Sequence, residues 1–183
     1  MSQDYNADDM SVLDDLEAVR ERPGMYIDYT DARGIHKIVD EIFDNAVDEF
    51  LANHCNKIDV TIDPVGYPEG SISIKDNGRG MPTDINKKEG ISGLEIIFTK
   101  LHGGGKFSNA TYKVSGGLHG VGASVTNFVS EFLTVIVCRD NKKFQQSFEF
   151  GKKVGSLQEL GHTEEPNGTE VIFKPDPFIF EEA

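Results

Sequence analysis

The stretch GIHKIVDEIFDNAVDEFLAN, residues 34–53, decides the fold of this chain. Its apolar residues recur at intervals of three and four, which predicts one amphipathic helix over residues 34–53. A face this broad must pack on a core that the rest of the chain supplies. The residues on the face are Ile35, Ile38, Val39, Ile42, Phe43, Ala46, Val47, Phe50 and Leu51.

Polar side chains accompany this helix in a pattern that a plain surface helix does not need. Glu41, Asn45 and Asp48 fall in one line along the border of the apolar face, and Glu49 projects into the face itself. A half-shielded carboxylate can activate a water, and an amide one turn away can ligate a hard cation. The alternative is a solvated acidic edge with no chemistry.

Composition limits the class of protein. The 183 residues, 38% of them hydrophobic and 12 of them Phe, suffice for one compact domain. A net charge of −13 argues against an extended surface for duplex DNA. Cys55 and Cys138 are too few for a disulfide framework or a zinc site, so we expect reduced thiols. Without a membrane-length apolar run or a signal-like N-terminus, we expect a cytoplasmic protein that does not contact a membrane.

Periodicity along the rest of the chain predicts an α+β domain. Helices are predicted over residues 11–21 with Ser11 as the cap, over 91–101 and over 120–128. Strands are predicted over 58–63 and 71–76 as an antiparallel pair, and over 132–138, 143–150 and 170–174. This order indicates helices on one face of a mixed, mostly antiparallel sheet. We expect a single domain over residues 1–183, in which residues 1–10 form a flexible arm.

The segment DNGRGMP, residues 76–82, follows a predicted strand. Its glycines allow the backbone to approach a flat ligand closely, and Asp76 at the strand end can accept a hydrogen bond from an exocyclic amine such as that of adenine. Arg79 also offers a partner for Glu49, whose place on an apolar face is otherwise unfavourable. The alternative is an ordinary tight turn.

A glycine-rich segment over residues 102–122 is predicted to be a long mobile loop. It contains GGGK, residues 103–106, and GGLHGVG, residues 116–122, which runs into a predicted helix. Free amides at a helix start bind anions, and Lys106 and Lys113 add positive charge. The spacing matches neither a P-loop nor a dinucleotide-binding fingerprint. Taken alone, the segment is also compatible with a flexible linker.

Together, the helix, the strand-end Asp and the glycine-rich loop suggest Mg-ATP. The chain resembles the Bergerat-type ATPase superfamily, which contains the B subunits of type II topoisomerases, Hsp90, MutL and histidine kinases. Within it, the chain looks like the N-terminal ATPase domain of the B subunits of bacterial topoisomerase IV or gyrase, and the segments at residues 5–8 and 106–109 favour topoisomerase IV. The resemblance is carried by RPGMY at 22–26, residues 41–49, 76–82, 103–107 and 112–122, and Gly168-Thr169.

The resemblance implies a Bergerat (GHKL) fold with an ATP lid and a division of roles. Glu41 would be the general base that polarises the attacking water, and Asn45 would ligate Mg²⁺. Asp76 would take the adenine amino group, assisted by Thr169 and a water. Phosphates would be held by Lys106 and by the amides of Leu118, His119, Gly120, Val121 and Gly122. The adenine slot would be walled by Val47, Met81, Pro82, Ile97 and Val171.

The resemblance also implies an inhibitor pocket and partners. The pocket used by ATP-competitive inhibitors would include Val47, Glu49, Arg79, Pro82, Arg139 and Val171. Tyr5 would reach into the nucleotide site of the dimer partner when ATP orders the arm and the lid. Two B subunits would then dimerise as a gate over DNA in an enzyme that also contains the A subunit of topoisomerase IV. We expect the fragment alone to be a monomer, with DNA contacted by the full-length enzyme.

Two features depart from the resembled family. Lys37 stands where some relatives carry a second His near the base. The resemblance also implies that the transducer, TOPRIM and tail domains lie outside this chain, and that the transducer would supply a lysine to the γ-phosphate. We therefore predict strong nucleotide binding with very slow turnover. The alternatives are another superfamily member, such as a chaperone or histidine kinase, and a nucleotide-sensing module without hydrolysis.

Overall fold

The computed structural model describes residues 13–63, 70–101 and 122–180. Within these ranges the chain forms an α+β domain of five helices and six strands. The elements are α1 Asp15–Glu21, α2 Gly24–Ile27, α3 Ala32–Leu51, β1 Ile58–Asp63, β2 Ser71–Asp76, α4 Gly93–Thr99, α5 Gly122–Phe128, β3 Ser130–Arg139, β4 Lys142–Glu149, β5 Lys152–His162 and β6 Gly168–Pro175.

The described strands form one sheet in the order β1-β2-β6-β3-β4-β5. All of their pairings are antiparallel, so the parallel part of the expected mixed sheet does not occur among them. At the end of β2, Asp76 lies opposite Ile58 of β1 on one side and opposite Thr169 of β6 on the other. The sheet therefore holds Asp76 between two neighbouring strands.

The helices cover one face of the sheet, as predicted, and the core lies between the two layers. Alternate residues of the central strands point into this core. Ile74, Leu133 and Phe173 from the sheet pack with Ile38 and Phe98 from the helices, and each is at most 2% exposed.

The other face of the sheet carries charged pairs. Lys75 lies 3.7 Å from Glu170, and Lys174 lies 3.0 Å from Glu131. Strand alternation places these four side chains opposite to the buried positions, where water solvates them.

The central helix α3 confirms the pattern that predicted it, although it begins and ends two residues early. Asp31 caps it, because the Asp31 carboxylate accepts a hydrogen bond from the Arg33 backbone N–H at 2.9 Å. Ile38 and Ile42 on its predicted inner face are buried. Asp48, expected at the border of that face, is only 3% exposed. Towards the C-terminal end the predicted face is only partly covered, because Phe50 and Leu51 are 53% and 48% exposed.

Two boundaries near the N-terminus differ from the predictions. Helix α1 is capped by Asp14, which forms a reciprocal capping box with Glu17, and Ser11 lies outside the described residues. Residues 24–27, for which no helix was predicted, form the short helix α2. Asp14 takes the cap because its carboxylate oxygen reaches the Glu17 N–H at 2.8 Å.

Strand β5 is the one described strand that the sequence did not predict. Its apolar residues Val154, Leu157 and Leu160 are spaced by three, so the two-residue alternation of a strand is absent. β5 pairs only with β4 among the described strands, and Val154 and Leu160 are 45% and 51% exposed. Such an edge strand is held by its backbone ladder more than by buried side chains.

Among the described residues, no helix is long and apolar enough to cross a membrane.

Candidate functional site

The turn that follows β2 fixes the carboxylate of Asp76. Asp76 Oδ1 accepts a hydrogen bond from the Gly78 backbone N–H at 2.8 Å. A Cβ at Gly78 would lie 2.9 Å from that same oxygen and 3.0 Å from Glu49 Cβ, so a side chain there would crowd both acidic side chains. Burial raises the pKa of the Asp76 carboxyl, the Gly78 N–H opposes this rise, and the charge of Glu49 adds to it. Asp76 is thus a partly desolvated acceptor held in one position.

The predicted pairing of Glu49 with Arg79 is confirmed. Glu49 Oε1 accepts from Arg79 Nη2 at 2.6 Å, while Oε2 accepts from Arg79 Nε at 3.0 Å and from the Arg79 backbone N–H at 3.1 Å. The Glu49 side chain is only 16% exposed. A forked, charge-assisted pair of this kind ties the turn after β2 to the C-terminal part of α3.

Thr169 in β6 lies beside Asp76 and is 4% exposed. Its Oγ1 accepts a hydrogen bond from the Met81 backbone N–H at 3.0 Å. Because the oxygen accepts there, the hydroxyl hydrogen is left to donate to another group. A Cβ at Gly168 would overlap the backbone oxygen of Asp76, so glycine is required for this close strand approach.

The predicted slot residues come from several elements around the same turn. Arg139 at the end of β3 donates to the Gly80 carbonyl at 3.2 Å. A Cβ at Gly93, the first residue of α4, would lie 2.5 Å from the Pro82 oxygen. The remaining slot residues lie on α3, the turn, α4 and β6, and Val171 is the most buried of them at 2% exposure: Val47, Met81, Ile97 and Val171.

Glu41 lies at the opposite end of the site, against the start of α5. A Cβ at Gly122 would overlap the Glu41 carboxylate, which shows that this carboxylate occupies the space directly beside Gly122. Lys37 Nζ lies 3.3 Å from Glu41 Oε1, one helical turn earlier on α3. Asn45, one turn later, is half-buried. The end of the glycine-rich segment is therefore brought next to the carboxylate predicted to act as the base.

Helix α3 connects the two ends of the site. Glu41 and Glu49 are eight residues apart, which corresponds to about 12 Å along the axis at about 1.5 Å per residue. Glu41 marks the end near α5, and Glu49 marks the end near the Asp76 turn. The candidate site is therefore elongated and has chemically different ends.

Six of the predicted site residues lie outside the described residues, as do the arm at residues 1–10 and Lys113. The six are Tyr5, Lys106, Leu118, His119, Gly120 and Val121.

Asn77, which lies between Asp76 and Gly78, was not predicted to be a site residue, yet its side chain makes several hydrogen bonds. The amide of Asn77 bonds to Asn56 and Lys57, which follow the C-terminal end of α3. The available signal was the order Asp-Asn-Gly after a strand, because Asn side chains commonly organise turns.

Comparison with known proteins identifies relatives of this chain. The family described as "Histidine kinase-, DNA gyrase B-, and HSP90-like ATPase" matches residues 30–178. The B subunit of DNA gyrase from Thermotoga maritima is 52% identical over 179 residues, covering 98% of this chain and 27% of the relative. The B subunit of DNA topoisomerase 4 from Bacillus subtilis is 55% identical over 178 residues, covering 97% and 26%.

A solved structure has the same fold. It is the 43K ATPase domain of Thermus thermophilus gyrase B in complex with an aminocoumarin, with a TM-score of 0.78 and 40% sequence identity. The match covers 92% of this chain and 41% of that one. The chain spans about a quarter of the length of the two curated relatives named above.

Proposed function

Because this chain belongs to the histidine kinase-, DNA gyrase B- and HSP90-like ATPase family, we propose that it binds ATP along α3. The adenine lies at the Asp76 turn, and the phosphates extend towards Glu41. The observation that carries this proposal is the elongated site, whose two ends are about 12 Å apart along α3. That distance is of the order of an extended nucleoside triphosphate, and each end has the chemistry that one end of ATP needs.

At the base end, Asp76 and Thr169 supply complementary hydrogen-bonding groups. The Asp76 carboxylate accepts from the amino group of adenine, and the Thr169 hydroxyl can donate, because its oxygen already accepts from Met81. Partial desolvation of Asp76 strengthens a hydrogen bond to a ligand that excludes the remaining water. Val47, Met81, Ile97 and Val171 wall the slot, and Pro82 and Arg139 extend it outwards.

At the phosphate end, Glu41 acts on the attacking water. A general base must hold its carboxylate within hydrogen-bond reach of that water, and contacts with Lys37 and Gly122 limit where the Glu41 carboxylate can lie. In our proposal Lys37 orients Glu41.

Asn45 is the group on α3 suited to hold Mg²⁺. Among the described residues no set of three or more His, Cys, Asp or Glu side chains converges on a possible metal site. Mg²⁺ commonly takes few protein ligands and completes its shell with phosphates and water, so one amide oxygen of Asn45 fits it. A bound Mg²⁺ would neutralise phosphate charge. Asn45→Ala should remove most of the Mg²⁺ dependence of nucleotide binding; an equal enhancement by Mg²⁺ in the variant would assign the metal to another residue.

We also propose a role for the whole protein. The chain is the single ATPase domain of the B subunit of a type II DNA topoisomerase, a cytoplasmic enzyme in which ATP-driven dimerisation of B subunits gates DNA strand passage together with the A subunits. Relatives with the names gyrase and topoisomerase 4 are 52% and 55% identical, so both assignments are supported equally. The isolated chain is expected to be a monomer with very slow turnover.

Glu41→Ala in the full-length protein separates an ATPase from a nucleotide sensor. Removal of a general base lowers turnover by about 10²–10⁴-fold, while binding of a non-hydrolysable ATP analogue should be retained. Asp40→Ala is the matched control, because Asp40 is an exposed neighbour on the same helix. Unchanged turnover in Glu41→Ala would exclude Glu41 as the base, and a parent that binds but never hydrolyses ATP would favour the sensor.

A further inference from the structure

The side chain of Asn77 joins the turn after β2 to the segment that follows α3. Asn77 Oδ1 accepts hydrogen bonds from the backbone N–H groups of Asn56 and Lys57, both at 3.0 Å. Asn77 Nδ2 donates to Asn56 Oδ1 at 2.7 Å. The backbone N–H of Asn77 also donates to the Lys57 carbonyl at 3.3 Å, which extends the β1–β2 ladder by one residue.

Consecutive residues of this turn are therefore anchored in different directions. Asn77 is tied to residues 56–57, Gly78 donates to the Asp76 carboxylate, and Arg79 is tied to Glu49 of α3. The Gly78 N–H can hold Asp76 Oδ1 in place only if the backbone on either side of Gly78 is itself fixed. Arg79 provides that fixation on one side, and Asn77 provides it on the other.

We propose that Asn77 is a positioning residue for adenine recognition, because it clamps the turn that sets the direction of the Asp76 carboxylate. This inference rests on the proposed adenine role of Asp76. A carboxamide suits the position, since one oxygen serves two N–H groups while the NH₂ group reaches Asn56. Asn56 and Lys57 are exposed, so these hydrogen bonds contribute little to folding stability compared with buried ones. Their main effect is on geometry.

A double-mutant cycle tests the clamp. Wild type, Asn77→Ala, Asp76→Asn and the double variant are titrated with a non-hydrolysable ATP analogue and with its purine counterpart, which lacks the 6-amino group. Asn77→Ala should weaken binding of the ATP analogue about five- to tenfold, which is the free-energy scale of one to two lost hydrogen bonds. Asn77→Ala should change the affinity for the purine counterpart by less than about twofold. When Asp76→Asn is already present, adding Asn77→Ala should weaken binding of the ATP analogue no further.

The control is Asn86→Ala. Asn86 organises a different turn by accepting from the backbone N–H groups of Lys88 and Glu89, so its loss should leave both affinities unchanged. If Asn77→Ala does not fold, Asn56→Ala gives a milder test, because it removes only the bond to Asn77 Nδ2. Asn56→Ala should weaken binding of the ATP analogue about two- to threefold and leave the affinity for the purine counterpart unchanged.

Three results would overturn the proposal while leaving the ATP site intact. These are unchanged affinity in Asn77→Ala, equal losses for both ligands, or a loss that adds fully to that of Asp76→Asn. If Asp76→Asn itself binds the ATP analogue as tightly as wild type, the adenine assignment fails, and the positioning role fails with it.

Discussion

Replacing Asp76 with Asn should stabilise the ligand-free protein against unfolding, and it should weaken the binding of adenine nucleotides. Burial raises the pKa of the Asp76 carboxyl above its ordinary value of 3.8. A pKa that is higher in the folded state means that folding favours the protonated carboxyl, so the ionised form lowers the free energy of unfolding at neutral pH. Asn is neutral at every pH and keeps an oxygen to accept from the Gly78 N–H.

The sign of the pH dependence follows from the raised pKa. The stability that comes from protonated Asp76 is fully present when the pH is below the pKa of this carboxyl in the unfolded chain. It is lost as the pH rises through the pKa of the carboxyl in the folded chain. The advantage of Asp76→Asn over wild type should therefore be largest near neutral pH and should vanish as pH falls towards 3.8. Urea unfolding of the ligand-free chain across this pH range measures the difference.

The effect on binding has the opposite sign. A hydrogen bond between a carboxylate and the adenine amino group contributes about 1.5–3 kcal/mol. Because about 1.4 kcal/mol corresponds to tenfold, Asp76→Asn should raise the Kd of a non-hydrolysable ATP analogue by roughly 10- to 150-fold. Calorimetric titration measures this change, and exposed Asp84→Asn is the control for lost charge alone. Higher stability with unchanged affinity would refute the adenine role, and lower stability at neutral pH would refute the desolvation of Asp76.

Three further predictions follow from close contacts in the described residues. Gly122→Ala should lower the free energy of unfolding by about 1–3 kcal/mol in urea, because its Cβ overlaps the Glu41 carboxylate, whereas Gly24→Ala, with no atom within 4 Å, should not. A double-mutant cycle on Glu49 and Arg79 should give a coupling free energy for unfolding of about 1–2 kcal/mol. The exposed pair Lys142 and Glu159 should give under about 0.5 kcal/mol, and equal coupling in the two pairs would contradict the prediction. Asp176→Ala should destabilise the chain by about 3 kcal/mol, since Asp176 is 0% exposed and bonds Arg20 at 2.6 Å; a loss below about 1 kcal/mol would exclude a structural role.

Sequence alone predicted the elements whose apolar residues follow a simple period. Strands β1 and β2 have the predicted bounds, 58–63 and 71–76, because their apolar residues alternate and turn-forming residues separate them. Helix α3 was predicted to within two residues at each end from its apolar face. The pairing of Glu49 with Arg79 also followed, since a carboxylate on an apolar face requires a cation nearby.

Other features depend on contacts that periodicity does not encode. Strand β5 is held by backbone pairing at a sheet edge, so its side chains carry no alternating pattern. The contact between Gly122 and Glu41 joins residues 81 positions apart, and only the packing of α5 on α3 brings them together. The clamp of Asn77 on residues 56–57 likewise depends on the register of β1 with β2.

The most direct test of the central claim, that ATP lies along α3 from the Asp76 turn to Glu41, is an NMR titration of the isotopically labelled chain. Adenosine is compared with a non-hydrolysable ATP analogue and Mg²⁺. We predict that adenosine shifts the amide signals of Gly78, Met81 and Thr169 only, whereas the analogue also shifts those of Glu41 and Asn45. Shifts at Glu41 with adenosine alone, or none at Glu41 with the analogue, would contradict the proposed orientation.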